Sequence, residues 1–297
     1  MSDSYAIFTD NLGKSFGKMK AVRGLDLAVK PGRITGFLGR NGAGKSTTIK
    51  MLLGMMRPTT GEGTVLGKRI DCPRESVEMR RRVAYVSEDK RLYGYMTVEQ
   101  IIAFTGSFFP GWRPEVAENL LGEYELPRKR KIKALSRGMR TKLALLLAFA
   151  RRPELVILDE PSEGLDPVGI EQLLRAMAVQ CAEGTTVFFS SHQIADVERV
   201  ADDVCMMEKG KLVLRLSLDE MRKSYRQIDA VFPAAPPELN FRVPGILSVR
   251  ESGRQLSFLA SGDTEAIVDR ARDLHAVSVD VAPVGLRDLF LEMVKER

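Results

Sequence analysis

A chain of 297 residues with a net charge of +6, 44% hydrophobic and 28% charged residues has a globular composition, which excludes a disordered or fibrous protein. Its longest apolar run, Leu143 to Ala150, falls far short of the ~20 residues that a membrane-crossing helix needs. The opening Met1-Ser2-Asp3-Ser4 lacks a secretory pattern, and the odd, scattered set Cys72, Cys181 and Cys205 lacks metal-ligand spacing, so a cytoplasmic chain with reduced thiols is expected.

From Ile7 to Leu38, apolar segments alternate with turns such as Pro31-Gly32, which predicts short strands. Arg33 to Leu38 is a strand feeding a Gly-rich loop, and the residues from Thr47 to Leu53 continue as a helix that stops near Gly54. Between Thr97 and Ala150 the pattern is largely helical, broken at Pro110-Gly111-Trp112 and at Pro127. Leu155-Val156-Ile157-Leu158 then returns as a buried strand. A helix around Ile170 to Ala182 and a strand from Thr185 to Phe189 continue the alternation of a parallel sheet. The core is expected to close near Ser217. After a linking helix, Leu218 to Tyr225, the cluster Pro233-Ala234-Ala235-Pro236-Pro237 cannot sit inside a regular element and marks a separate unit. Beyond it, Leu247-Ser248-Val249 and Leu256-Ser257-Phe258 flank a turn at Ser252-Gly253. A helix from Glu265 to Leu274, a strand from Val277 to Val281 and a helix from Leu286 to Val294 complete a small α/β domain.

Gly39-Arg40-Asn41-Gly42-Ala43-Gly44-Lys45-Ser46 matches all eight positions of a P-loop, set between a predicted strand and a predicted helix. The glycines let consecutive backbone N–H groups curl around phosphate oxygens, and the helix turns its positive end toward them. Lys45 is suited to neutralise the β and γ phosphates and the Ser46 hydroxyl to ligand Mg²⁺. Thr47 caps the helix or touches phosphate. The apolar strand ending in Asp159-Glu160 delivers two carboxylates to the sheet edge where ligands bind. Paired with the P-loop, Asp159 is suited to hold Mg²⁺ through its water shell and Glu160 to orient and polarise an attacking water.

With these motifs in order, Leu135-Ser136-Arg137-Gly138-Met139 resembles the Leu-Ser-Gly-Gly-Gln signature of the nucleotide-binding subunits of ABC transporters. It stands shortly before the strand of Asp159 and is followed by an Ala- and Leu-rich helix. The resemblance covers roughly the first 215 residues. It implies that two such domains pair head to tail, so that Ser136 and Gly138 of one face the ATP held by the P-loop of the other. Ser136 also reads as a plain helix N-cap, and both readings can hold. Arg137 and Met139 depart from the family pattern. Phe16 occupies the place of the aromatic that stacks on adenine, a core aromatic being the other reading. Ser162-Glu163-Gly164-Leu165-Asp166 is similar to the D-loop, in which Asp166 would couple the two sites, or is a helix-capping turn. His192 resembles the switch histidine that contacts the γ-phosphate and the attacking water. At Tyr85-Val86-Ser87-Glu88 the family usually ends in glutamine. The carboxylate of Glu88 can contact Mg²⁺ or water, but it cannot donate as an amide does unless protonated.

The predicted fold class is α/β: a P-loop NTPase with a mainly parallel sheet, an N-terminal antiparallel β subdomain, an inserted helical subdomain and a small C-terminal α/β accessory domain. Residues 1–217 would form the ATP-binding domain, with the helical subdomain at about 89–150, and residues 218–297 the linking helix and accessory domain. The implied function is that of an ATPase subunit, using ATP and Mg²⁺, with Lys45, Glu160 and His192 as catalytic residues. Its implied partners are a second ATP-binding subunit, as homo- or heterodimer, and a polytopic membrane permease, which places it on the cytoplasmic face of the cell membrane. Gly285 to Leu291 looks like the closing segment of export-type subunits with separately encoded membrane chains; it also reads as an amphipathic helix packed through Leu286, Leu289 and Phe290. The alternatives are a soluble ABC-type ATPase or a regulatory nucleotide sensor. Nucleic acid is not expected, because the chain has neither the two ATPase units nor the coiled-coil insertion expected of ABC ATPases that remodel nucleic acid or ribosomes.

Overall fold

Apolar runs without polar alternation need cover on both faces, and here they form the middle of a parallel sheet. The structure, a computed structural model, describes residues 4–236, 243–262 and 264–295; Met1 to Asp3 and Pro237 of the proline cluster lie outside the described residues. The chain divides into two units, Met1–Arg215 and Leu216–Arg297.

In the first unit the elements run β1 (Ile7–Phe16), β2 (Met19–Leu25), β3 (Ala28–Val29), β4 (Ile34–Gly39), α1 (Lys45–Leu52), β5 (Thr60–Val65), β6 (Lys68–Arg69), α2 (Pro73–Arg82) and β7 (Val83–Val86). Three helices follow, α3 (Val98–Gly106), α4 (Pro114–Glu123) and α5 (Arg137–Phe149), with a 3-10 turn at Ile132–Ala134. Then come β8 (Leu155–Asp159), α6 (Pro167–Ala182), β9 (Thr186–Ser191), α7 (Ile194–Val200), β10 (Asp203–Glu208) and β11 (Lys211–Ser217).

A six-stranded sheet has the order β11-β10-β4-β9-β8-β7, and its β10–β4, β4–β9, β9–β8 and β8–β7 pairs are parallel. Every residue of β4, β8 and β9 is buried. Phe37 of β4 and Phe188 of β9 pack with ring centroids 5.3 Å apart, and both belong to a core that also holds Ile49 and Leu52 of α1. A five-stranded sheet of β1, β2, β3, β5 and β6 is antiparallel. The ten-residue β1 is longer than the short strands expected there. It carries register shifts beyond Asp10 and Leu12, where Asn11 adopts φ +48, and this irregularity hides its length from the alternation pattern.

The helical region is pinned by the segment before it. Thr97 caps α3 in a reciprocal capping box with Gln100, and Ile132 N donates to Met96 O at 2.9 Å and Val98 N to Arg130 O at 3.2 Å.

The second unit contains α8 (Leu218–Ser224), β12 (Tyr225–Val231), β13 (Ile246–Ser252), β14 (Gln255–Ser261), α9 (Glu265–Asp273), β15 (Ser278–Pro283) and α10 (Leu286–Lys295). Its four strands form an antiparallel sheet in the order β13-β14-β12-β15. Ile228, Ala230, Leu256, Phe258 and Ala260 share a core with Ile267 and Ala271 of α9. The interior strand β12 is not expected from the sequence. Only Ile228 and Ala230 are buried in it, and Arg226, Gln227 and Asp229 mask the alternation.

Candidate active site

Four neighbouring strands of the parallel sheet end level with one another. Leu38 pairs with Ser191, Asp159 with Ser190 and Val86 with Leu158, so the segments leaving β4, β8, β9 and β7 meet at the carboxyl edge. Those segments carry the P-loop, Asp159-Glu160, His192 and Glu88. An open parallel sheet binds ligands at this edge, where helix amino termini and loop N–H groups converge.

The P-loop depends on glycine at Gly44, where φ is +109 and an added Cβ would lie 2.6 Å from the carbonyl oxygen of Ala21. Gly44 is the N-cap of α1; it supplies no side-chain cap, and the first turn carries no acidic residue, so the amino end is suited to an anion. Lys45 folds back across the loop. Its Nζ donates to Gly39 O at 2.6 Å and to Arg40 O at 3.3 Å, and it makes an ionic contact of 3.1 Å with Glu160 Oε1.

At the end of β8, Asp159 is 2% exposed and its Oδ1 accepts from Ser190 Oγ at 2.6 Å and from Ser46 Oγ at 3.3 Å. Glu160 follows at φ +47, in the left-handed region that costs energy for a non-glycine residue. Its N–H donates to Ser190 Oγ at 3.0 Å, and its Oε2 lies 2.8 Å from His192 Nδ1. One carboxylate is thus held between a lysine and a histidine at the lip of the sheet.

A cleft of about 730 Å³ opens over this edge. Phe16, Arg40, Asn41, Gly42, Ala43, Gly44, Lys45, Ser46, Thr47, Glu88, Glu160 and His192 line it, as do Lys20, Arg23, Glu163 and Lys209. Phe16 is 43% exposed with Lys14 Nζ 5.4 Å from its ring centre, which decides against a core aromatic. Gly39 and Asp159 end their strands behind the lining. Ser136, Gly138 and Asp166 do not line the cleft. Ser136 caps α5 by accepting from Met139 N at 3.1 Å, and Asp166 caps α6 by accepting from Gly169 N at 2.7 Å. Gly138 lies against the D-loop segment of its own chain, with room for no more than a tight Cβ contact of 3.0 Å to Gly164 O. Arg137 makes a 2.6 Å ion pair with Glu163 of that segment.

Burial raises the Glu88 carboxyl above its ordinary range, and the charges of Glu163, Asp159 and Glu160 push it further the same way. This concentration of hard oxygen donors fits a divalent cation such as Mg²⁺, which takes few protein carboxylates and completes its shell with phosphate and water. Among the described residues no cluster of three or more His, Cys, Asp or Glu could hold a metal unaided.

Sequence reasoning did not single out Ser190, which bridges Asp159 and Glu160, or Lys90, whose Nζ donates to Glu160 O at 3.3 Å. A serine at the end of an otherwise apolar strand is the only signal Ser190 gives. Lys90 gives none, because its burial depends on how the loop after β7 folds back.

The ABC transporter family profile matches residues 22–163. An ABC transporter ATP-binding protein of Synechocystis is 31% identical over 94% of this chain and 80% of its own length. The bacitracin transport ATP-binding protein BcrA of Bacillus licheniformis is 34% identical over 75% of this chain and 74% of its own. The chain belongs to the ABC transporter ATP-binding proteins. Among solved structures, an ATP-binding subunit of an ABC transporter superposes with a TM-score of 0.66 at 31% identity, covering 73% of this chain and 92% of that one. ABC transporter ATP-binding subunits are the nucleotide-driven components that power transport, and this chain is such a subunit. Among the described residues no helix is long and apolar enough to cross a membrane.

Proposed function

We propose that this subunit binds ATP in the cleft and hydrolyses it, and that Glu160 is the residue that orients and polarises the attacking water. The supporting observation is the fixed Glu160 carboxylate, with Lys45 on one oxygen and the His192 ring on the other. In this reading Phe16 stacks on the adenine, and the loop from Gly39 to Thr47 wraps the phosphates, with Lys45 neutralising their charge. Ser46 and Asp159, with Glu88 beside them, would hold Mg²⁺, whose contribution is charge neutralisation on the phosphates. His192 steadies Glu160 and contacts the γ-phosphate. Positioning and electrostatics are the main sources of rate in phosphoryl transfer, and each of these groups supplies one of them.

Two subunits would close around two nucleotides, with Ser136, Gly138 and Asp166 of each completing the site of the other. The membrane partner is a polytopic permease, and the subunit works peripherally on the cytoplasmic face. Support for the permease contact comes from an exposed aromatic ladder beside the helical region. Tyr93 packs on Tyr95 and Phe104, and Phe104 on Phe108, while Tyr95 and Phe108 remain 69% and 62% exposed. Export is proposed on the resemblance of Gly285 to Leu291 to the closing segment of export-type subunits, and the likeness to the bacitracin transport protein BcrA supports a role in transport.

Glu160→Gln tests the central step. ATP binding should persist while turnover falls by about 10²–10⁴-fold, the range expected for loss of a general base. Wild-type turnover in that variant would falsify the assignment.

A further inference from the structure

Lys90 lies on the loop that leaves β7, two residues beyond Glu88, at φ +44 and 6% exposed. A buried ammonium is costly unless hydrogen-bonded and electrostatically compensated. Burial, with the charge of Arg137, lowers the Lys90 ammonium below its ordinary value; Glu163, Glu88 and Asp159 offset part of this, and its Nζ donates to the main-chain carbonyl of Glu160 at 3.3 Å. Glu163 N reaches the same carbonyl at 3.3 Å, but Lys90 is its charged donor, and charge-assisted hydrogen bonds are the stronger kind.

The acceptor gives this contact its importance. Glu160 occupies the left-handed backbone region, so its peptide needs outside support on both sides. Ser190 accepts from its N–H and Lys90 donates to its C=O. With the backbone gripped at both ends, the side chain leaves Cα in one direction, toward Lys45 and His192. Lys90 also belongs to the segment leading into α3, so its grip ties the aim of Glu160 to the placement of the helical region.

We propose that Lys90 is a positioning residue for the hydrolytic reaction, its ammonium locking the Glu160 peptide so that the carboxylate faces the reacting water. This rests on the reading of Glu160 as the water-polarising group. Displacing a reacting group by about an ångström costs on the order of 10²-fold in rate, so losing the charged one of the three hydrogen bonds that hold this residue's backbone should cost between about tenfold and a hundredfold.

The test measures steady-state ATP hydrolysis and ATP affinity in the full chain for Lys90→Met, Lys90→Gln and Lys90→Arg, with Glu160→Gln alongside. The neutral variants should lose about tenfold or more in kcat with ATP affinity within about twofold, and Lys90→Arg should recover most of the loss. Two neutral variants are used so that poor folding of one does not remove the comparison. Wild-type kcat in a folded neutral variant, or a parallel collapse of affinity and kcat, overturns the proposal, as does an arginine variant no better than the neutral ones. If Glu160→Gln turns over normally, the reading of Glu160 fails and Lys90 falls with it. An inactive Glu160→Gln beside an unaffected Lys90→Met overturns the role of Lys90 alone.

Discussion

Lys45 and Glu160 form an ion pair, Nζ to Oε1 at 3.1 Å, with side chains 6% and 8% exposed, and through it the P-loop touches the carboxylate at the end of the next strand but one. Groups buried together in one charge network do not contribute independently to stability. A double-mutant cycle of Lys45→Met and Glu160→Gln, followed by denaturant unfolding without nucleotide, should give a coupling energy of about 0.5–3 kcal/mol. A value near zero would mean that the pair does not persist in solution. Lys45→Met alone should also lose ATP affinity by at least about tenfold, since each 1.4 kcal/mol of phosphate contact is one decade.

Ser136 is the N-cap of α5 in its own chain, and the proposed dimer would give it a second, separable role, a contact with a partner's nucleotide. Asp caps a helix about as well as Ser, so Ser136→Asp should keep the stability of α5, whereas Ser136→Ala should cost about 1 kcal/mol. A carboxylate facing phosphate across a subunit boundary is repelled. In the Glu160→Gln background, size-exclusion chromatography with ATP and Mg²⁺ should therefore show dimers where Ser136 is kept and monomers once Ser136→Asp is added. Dimers in both would remove the partner contact from consideration.

Phe188 and Phe37 fill the core beneath the parallel sheet, both 0% exposed. Phe188→Ala should destabilise the first unit by about 3–5 kcal/mol, because the fully covered strands cannot collapse into the cavity. Chemical denaturation provides the measure, and a cost under about 1 kcal/mol would indicate a core far more pliable than this packing.

Arg82 binds Glu154 through two parallel contacts, Nε to Oε1 at 2.6 Å and Nη2 to Oε2 at 2.7 Å, and this pairing lowers the Glu154 carboxyl below its ordinary value. The lowered folded value makes the contribution fully present above the unfolded carboxylate range and lost as pH falls through the folded one. Because both side chains are more than a third exposed, the pair is worth under about 1 kcal/mol. The stability gap between the wild type and Glu154→Gln should be present at about pH 7, shrink with salt and close as pH falls through the lowered folded value. A gap that survives acid would point to a packing effect instead.

The P-loop was legible because its conformation is local: Gly44 and its neighbours need no distant residue to turn the backbone. The same holds for Asp159 and Glu160, since a strand that is apolar throughout and then acidic has only one wet end. The parallel fold was legible too, in the alternation of buried strands with helices. Strand β12 was not, because its burial involves just two side chains and its place between β14 and β15 comes from pairing with later sequence.

The amino-acid sequence alone thus determined the class of chemistry, a phosphate-binding loop with two carboxylates, because both motifs are contiguous and carried by short-range backbone geometry. Only the tertiary structure decided what holds Glu160. Ser190 and His192 from the end of β9, Lys45 from the P-loop and Lys90 from the loop after β7 reach it from three segments, brought together by the register of neighbouring parallel strands and by the turn of one loop. Parallel strands are joined by long crossovers, so sequence spacing carries no record of which residues end level at their edge.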